Sequence, residues 1–263
     1  MIRAALLAGI VLVPAAALAA CPSPPGLTVL VPPLERSAGR LEAGLPLSIV
    51  AFGSSSTAGN GASSPEASYP ARLGAELNTR LPGAEIAVLN RGRGGEDAPE
   101  EFARLGRDVV AARPDLVIWQ FGTNAVLRRD DLSGDGELVR RGVAELKAAG
   151  IDVVLMDLQY APRVLDRPSY TVMEDIIAET ADAAGIGLFR RFALMHYWQR
   201  AGDPALRLIA DDGLHMNDAS YRCLAASLAD SLVANWAAHA KERRRGPLVP
   251  EAIAGLGQVV PGQ

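Results

Sequence analysis

Histidine and cysteine are scarce: the 263 residues hold three of the first and two of the second. No histidine–cysteine–carboxylate group has metal-ligand spacing, and no glycine-rich loop carries the lysine of a phosphate cradle, so the sequence implies neither metal nor cofactor. A basic excess is also missing. Lys and Arg number 26 against 30 Asp and Glu, a formal net charge of -4, and a nucleic-acid partner would call for a basic face. The apolar run from Ala4 to Ala20 is too short, and broken by Pro14, to read as a transmembrane helix. Neither an internal repeat nor an interior linker divides the chain.

What the N-terminus does carry is the pattern of an export signal: Arg3, the apolar stretch, and Ala17-Leu18-Ala19 as a small-residue cleavage site. Residues 1–20 are expected to be a signal peptide and the mature protein periplasmic or secreted. The two cysteines leave two readings open. Leu18-Ala19-Ala20-Cys21 has the form of a lipobox, which would make Cys21 a lipidated, membrane-anchored N-terminus. Cleavage nearby would instead leave Cys21 to form a disulfide with Cys223 in an oxidising compartment. Residues 21–44 open with a proline-rich stretch and are expected to be a tether. The folded domain is expected over 45–240, and 241–263, which begins Lys241-Glu242-Arg243-Arg244-Arg245 and continues through Pro and Gly, reads as a basic tail.

Within the domain, short apolar runs alternate with amphipathic stretches. Leu45 to Phe52, Ile86 to Leu89, Leu116 to Phe121, Val153 to Leu158 and Ile186 to Phe189 read as strands. They lack in-out alternation, which favours parallel strands covered on both faces. Leu73 and Leu77 share one helical face, Phe102, Leu105 and Val109 a second, Val139, Val143 and Leu146 a third, Val172, Ile176 and Thr180 a fourth. In the last helix Leu224, Leu228, Leu232 and Trp236 recur every fourth residue, with Asn217 or Asp218 as its cap. Asp97 and Glu100 have capping-box spacing. The predicted fold class is α/β, a three-layer α/β/α sandwich around a mainly parallel five-stranded sheet.

In such a sheet, sites form beyond the carboxyl ends of the strands. Three segments fall there: Gly53-Ser54-Ser55-Ser56-Thr57-Ala58-Gly59, Asn90-Arg91-Gly92-Arg93-Gly94-Gly95-Glu96, and Gly122-Thr123-Asn124-Ala125. Near the start of the last helix stands Asp212-Gly213-Leu214-His215, whose spacing lets one tight turn aim a carboxylate at an imidazole. Singly each has an ordinary explanation as a turn; in this order they form a set.

As a set they resemble the four blocks of the SGNH hydrolases, also called the GDSL esterase/lipase family, a fold of flavodoxin-like layout. The resemblance covers about Leu45 to Ala240. It implies Ser55 as nucleophile, His215 as base and Asp212 as its orienter. It also implies an oxyanion hole built from the Ser55 N–H, the Gly95 N–H and the Asn124 side-chain amide. Gly95 suits that role because a side chain would obstruct close backbone approach. Two positions depart from the family pattern: Ser54 stands where Asp usually precedes the nucleophile, and Ala125 where Asp usually follows the asparagine.

The implied activity is hydrolysis of carboxylic esters through an acyl-enzyme, with O-acetyl esters of extracellular or capsular polysaccharide as the first substrate class and no cofactor. A lipase, lysophospholipase or thioesterase is the alternative; a polysaccharide O-acetyltransferase and a non-catalytic glycan-binding module are others. His196 and His239 read as packed and helix-terminal residues, Trp119 as core. Gln159 and Tyr160, at the active edge of the sheet, are candidates to touch substrate, as are Arg91 and Arg93 for an anionic one.

Overall fold

The computed structural model describes residues 21–128, 131–201 and 207–245. The expected signal peptide and the part of the tail from 246 onward lie outside them. Five strands, β1 Leu47–Gly53, β2 Ile86–Gly92, β3 Leu116–Gln120, β4 Asp152–Met156 and β5 Gly187–Phe189, form one all-parallel sheet in the order β2-β1-β3-β4-β5. The helices are α1 Pro25–Thr28, α2 Glu35–Glu42, α3 Ser55–Ala58, α4 Tyr69–Arg80, α5 Ala98–Asp108, α6 Thr123–Arg128, α7 Ser133–Ala148, α8 Pro162–Leu165, α9 Tyr170–Ala184, α10 Arg191–Ala201 and α11 Asp218–Arg245.

Unbroken apolar runs make these strands because both sheet faces are covered. Ile49, Ala51, Ile118, Val154 and Met156 face a core shared with α4, α10 and α11, whereas Val50, Phe52, Val117, Trp119 and Leu155 face a second core shared with α5, α7 and α9. The result is the three-layer sandwich read from the sequence. Val139, Val143 and Leu146, and the α11 ladder from Leu224 to Trp236, are buried. On α9 Thr180 is buried as expected, but Met173 and Ile177 turn inward in place of Val172, which is exposed, and Ile176, which is half-buried. Two adjacent apolar stripes compete there, and the methionine wins because Gly122 leaves room for its side chain.

The segment 21–44 is not an extended tether. It forms α1 and α2 and adds Leu30, Leu34 and Ala38 to the core against α11. A proline-rich chain cannot pair its own backbone, and Asn235 of α11 does so for it. Its amide accepts from Leu34 N–H and donates to the Leu30 and Pro32 carbonyls, at 2.9–3.0 Å. Trp198 donates to the Pro22 carbonyl, and Cys21 is disulfide-bonded to Cys223. At the other end, the cluster Lys241 to Arg245 continues α11 instead of starting a tail; cations there suit the negative end of the helix dipole.

Candidate active site

Ser55 is the first residue of α3, directly after β1, so its N–H has no partner within that helix. Its hydroxyl lies 2.8 Å from His215 Nε2, across 160 residues of sequence. On the far side of the ring, Nδ1 is 2.5 Å from Asp212 Oδ2. With Nδ1–H directed at the carboxylate, Nε2 is left as the acceptor for the Ser55 hydroxyl.

The Asp212–His215 turn is built by its own aspartate. Asp212 Oδ1 accepts the backbone N–H groups of Leu214 and His215, both at 2.9 Å, while Oδ2 takes the ring. Burial pushes the Asp212 carboxyl up, but the hydrogen bonds from the His215 ring and the two backbone N–H groups outweigh it and hold it at about 2. The turn is anchored at both ends: Arg163 N–H donates to the Gly213 carbonyl, and Ala210 N–H to the His215 carbonyl. Asn217, not Asp218, caps α11, accepting from Ser220 N–H. The Asp218 carboxylate is freed to bind Ser63 N–H and Oγ, and the Tyr221 hydroxyl donates to the Asn60 carbonyl. These bonds clamp the loop after Ser55 onto the His215 segment.

Asn124 sits in the first turn of α6. One N–H of its amide donates to the Glu96 carbonyl at 2.7 Å, which fixes the plane and leaves the second N–H for an oxyanion. Gly95 precedes Glu96, has φ +84 and its carbonyl accepts from the Arg128 guanidinium. A β-carbon there would meet only that guanidinium, at 3.6 Å. The backbone angle, and not the crowding expected from the sequence, is what calls for glycine.

The sequence pattern missed the groups beneath these loops. Gln120, the last residue of β3, is buried, and its side-chain Oε1 accepts from Ser54 N–H, Ser54 Oγ, Ser56 Oγ and Thr57 Oγ1 at 2.9–3.2 Å. Ser54, in place of the usual aspartate, is thus tied to a neighbouring strand. Arg104 of α5 is buried over the Phe52 ring and donates to the Gly53 and Arg91 carbonyls and to Glu96 and Asp108. It joins the β1 end to the loop that carries Gly95. Arg191 is wholly buried and donates to Ser56 Oγ. A buried arginine has no periodic signature, and a lone glutamine inside an apolar strand gives no sign of the groups it binds.

The other candidates divide. Gln159 is buried, and its Oε1 accepts from Thr123 and Arg191, so it supports the site from inside. Tyr160 is half-buried and stacks on His196, with ring centroids 4.7 Å apart. His239 lies 3.5 Å from Glu42 between α11 and α2, away from Ser55. Arg93 pairs with Asp108. Trp119 is core, its indole donating to Glu101. Among the described residues, no group of three or more His, Cys, Asp or Glu could hold a metal ion.

Crystal structures of similar fold include a two-domain esterase active on acetylated mannans, co-crystallised with mannopentaose (23% identity, TM-score 0.64, covering 78% of this chain and 53% of that one). Another is an acetyl xylan esterase from Geobacillus stearothermophilus (22%, TM-score 0.61, covering 71% and 94%). A third is a lipase/acylhydrolase from Enterococcus faecalis (24%, TM-score 0.59, covering 72% and 96%). The chain spans about half the length of the mannan esterase, and at these identities the likeness is one of fold. No curated protein matches the chain. A model of the non-GDSL lipase-like family matches residues 20–238, and the chain belongs to that family.

Proposed function

We propose that the protein is an exported serine esterase that removes acetyl groups from an extracellular or capsular polysaccharide. The observation that carries the catalytic part is the continuous relay Asp212–His215–Ser55, at 2.5 Å and 2.8 Å. In this reading Ser55 Oγ attacks the ester carbonyl carbon while its proton passes to His215 Nε2. The C–O bond to the alcohol breaks, and His215 returns the proton to the leaving oxygen. Water, deprotonated by His215, then attacks the acyl-Ser55 carbonyl, the bond to Oγ breaks, and His215 returns the proton to Ser55 as the acid leaves. Asp212 holds the imidazole in the working tautomer and stabilises its charged form. The Ser55 N–H, the Gly95 N–H and the second Asn124 N–H face the charge that develops on the carbonyl oxygen.

Two features support a polymeric acetyl ester. The site is open: Asp212, Gly94 and Gly95 all reach the surface, as a bulky alcohol side requires. Two of the similar folds are esterases of acetylated glycans. Export is supported by the Cys21–Cys223 disulfide, which suits an oxidising compartment, and by the signal-like pattern of residues 1–20. With its sulfur in that bond, Cys21 favours cleavage without lipidation.

The test pairs rates on p-nitrophenyl esters of increasing chain length with acetate release from acetylated glycans. A steep preference for acetyl, with both activities lost in Ser55→Ala, is expected. Preference for long acyl chains overturns the acetyl reading in favour of a lipase, and glycan binding with no turnover overturns the enzyme reading altogether.

A further inference from the structure

Arg191 is the most deeply buried charge near the nucleophile, and the serine mechanism gives it no part. It opens α10, is fully inaccessible, and spends its guanidinium on three oxygens from two strand ends. Nη1 donates to Ser56 Oγ at 2.9 Å; Nη2 donates to the Asp157 carbonyl at 2.5 Å and to Gln159 Oε1 at 3.0 Å. That same Gln159 oxygen accepts from Thr123 Oγ1 at 2.9 Å. Ser56 follows the nucleophile and Thr123 precedes the oxyanion asparagine. One cation therefore links the turn of Ser55 to the turn of Asn124, beyond the point where the β1–β3 pairing ends at Gly53 and Gln120.

A buried guanidinium needs a counter-charge. Beside it lie the buried Asp157 and the half-buried Glu174, which accepts from the residue after Asp157, and two carboxyl groups so placed favour one proton shared between them. Asp157 Oδ1 also accepts from Phe192 N–H, and Glu174 Oε1 from Leu158 N–H. With that proton in place the pair carries one negative charge and balances Arg191; without it, the buried cluster carries a net negative charge. Burial pushes both carboxyl groups above the usual carboxylate range, and at Glu174 the Asp157 charge adds to the rise. The other groups facing the cluster are Arg190, Tyr69 and Tyr221. Burial raises both phenols, so they stay neutral where the pair titrates.

We propose that Arg191 is a positioning residue that keeps the Ser55 turn and the Asn124 turn in register for attack. Loss of the shared proton to solvent base then loosens that register and lowers kcat on the alkaline side. The inference rests on the serine-esterase reading above.

The experiment measures kcat and KM for p-nitrophenyl acetate from pH 6 to 10 in the wild type, Arg191→Gln, Arg191→Lys, Ser56→Ala and Glu174→Gln. Circular dichroism checks that each is folded. Misplacement of reacting groups acts on the transition state, so Arg191→Gln and Ser56→Ala are expected to lose roughly 10- to 100-fold in kcat, with KM within about twofold of wild type. Arg191→Lys recovers part of the loss. Glu174→Gln cannot shed the shared proton and moves the alkaline decline to higher pH. Should Arg191→Gln not fold, Ser56→Ala and Glu174→Gln decide alone. Wild-type kcat in Ser56→Ala, or an unmoved alkaline limb in Glu174→Gln, overturns the proposal. Ser55→Ala runs alongside: turnover surviving there overturns the esterase reading itself, whereas an inactive Ser55→Ala beside unaffected neighbours overturns only this one.

Discussion

Gly61 packs against the Met216 carbonyl so closely that a β-carbon on it would lie 2.3 Å from that oxygen and 2.9 Å from His215 Cβ. Here the loop that follows Ser55 touches the segment that carries His215. With φ +86 as well, the position needs glycine for both space and backbone angle. Gly61→Ala is expected to push the two segments apart, lengthening the Ser55–His215 contact. Its kcat should fall at least about tenfold and its stability by roughly 1–3 kcal/mol, the cost of a strained backbone position. Thermal unfolding and acetate-ester kinetics read both, and a variant equal to wild type in each would show that the contact does not set the geometry.

The proposed oxyanion donors can be tested separately from the Asp212–His215–Ser55 contacts. Asn124→Ala removes one of them and leaves Ser55, His215 and Asp212 in place. A loss of about 10²–10³ in kcat, or roughly 3–4 kcal/mol of transition-state stabilisation, is expected, with KM little altered. Labelling of Ser55 by a fluorophosphonate should slow by a comparable factor. An Asn124→Ala enzyme within a few-fold of wild type in both would assign the oxyanion to other donors.

These two experiments probe parts of the site that differ in how plainly the sequence displays them. Ser55, His215 and Asp212 stand in short blocks that resemble those of a known family, so the sequence singles them out and the structure brings them together, and the strands around them follow from apolar runs. Gly61 has no such pattern, since its need arises from a partner 155 residues away. Gln120, Arg104 and Arg191 are missed for a related reason. A polar residue inside an apolar context looks the same in sequence whether it is solvated or buried with its bonds satisfied by distant loops. The misjudged segment, 21–44, follows the same logic. Proline content predicts an extended chain correctly at the level of local backbone, but the partner that makes it part of the core, Asn235, lies two hundred residues away.

Stability should depend on pH through Glu101, which is fully buried beneath Trp119. Burial is the main cause that raises its carboxyl to about 8, against smaller opposing effects from the Trp119 hydrogen bond and Arg104. A carboxyl whose folded value is raised holds its proton in the native state after the unfolded chain has lost it. Its contribution to stability is therefore complete below the unfolded value of 4.5 and is lost as pH rises toward about 8. Glu101→Gln keeps an oxygen for the Trp119 indole and cannot ionise. Relative to wild type, the variant should gain stability between pH 5 and pH 8, as read from urea midpoints. A constant difference across that window would mean that Glu101 is ionised in the folded protein.

The Cys21–Cys223 disulfide closes a sequence separation of 202 residues and joins the start of the N-terminal segment to α11. Nearby, Ser23 is hydrogen-bonded to Ser227 and Trp198 to the Pro22 carbonyl, so the bridge locks a segment that other bonds already seat. Its effect should therefore be mainly on the unfolded chain, whose freedom a long closed loop restricts. Reduction, or Cys223→Ser, is expected to lower stability by about 2–5 kcal/mol, because the loop is long. Activity at 25 °C should persist, since Ser55 and His215 are held by Gly61, Asp218 and Tyr221 and not by the bridge. Urea titrations with and without dithiothreitol, followed by ester turnover, separate the two. Loss of turnover in reduced but folded protein would instead place the N-terminal segment among the supports of the active site.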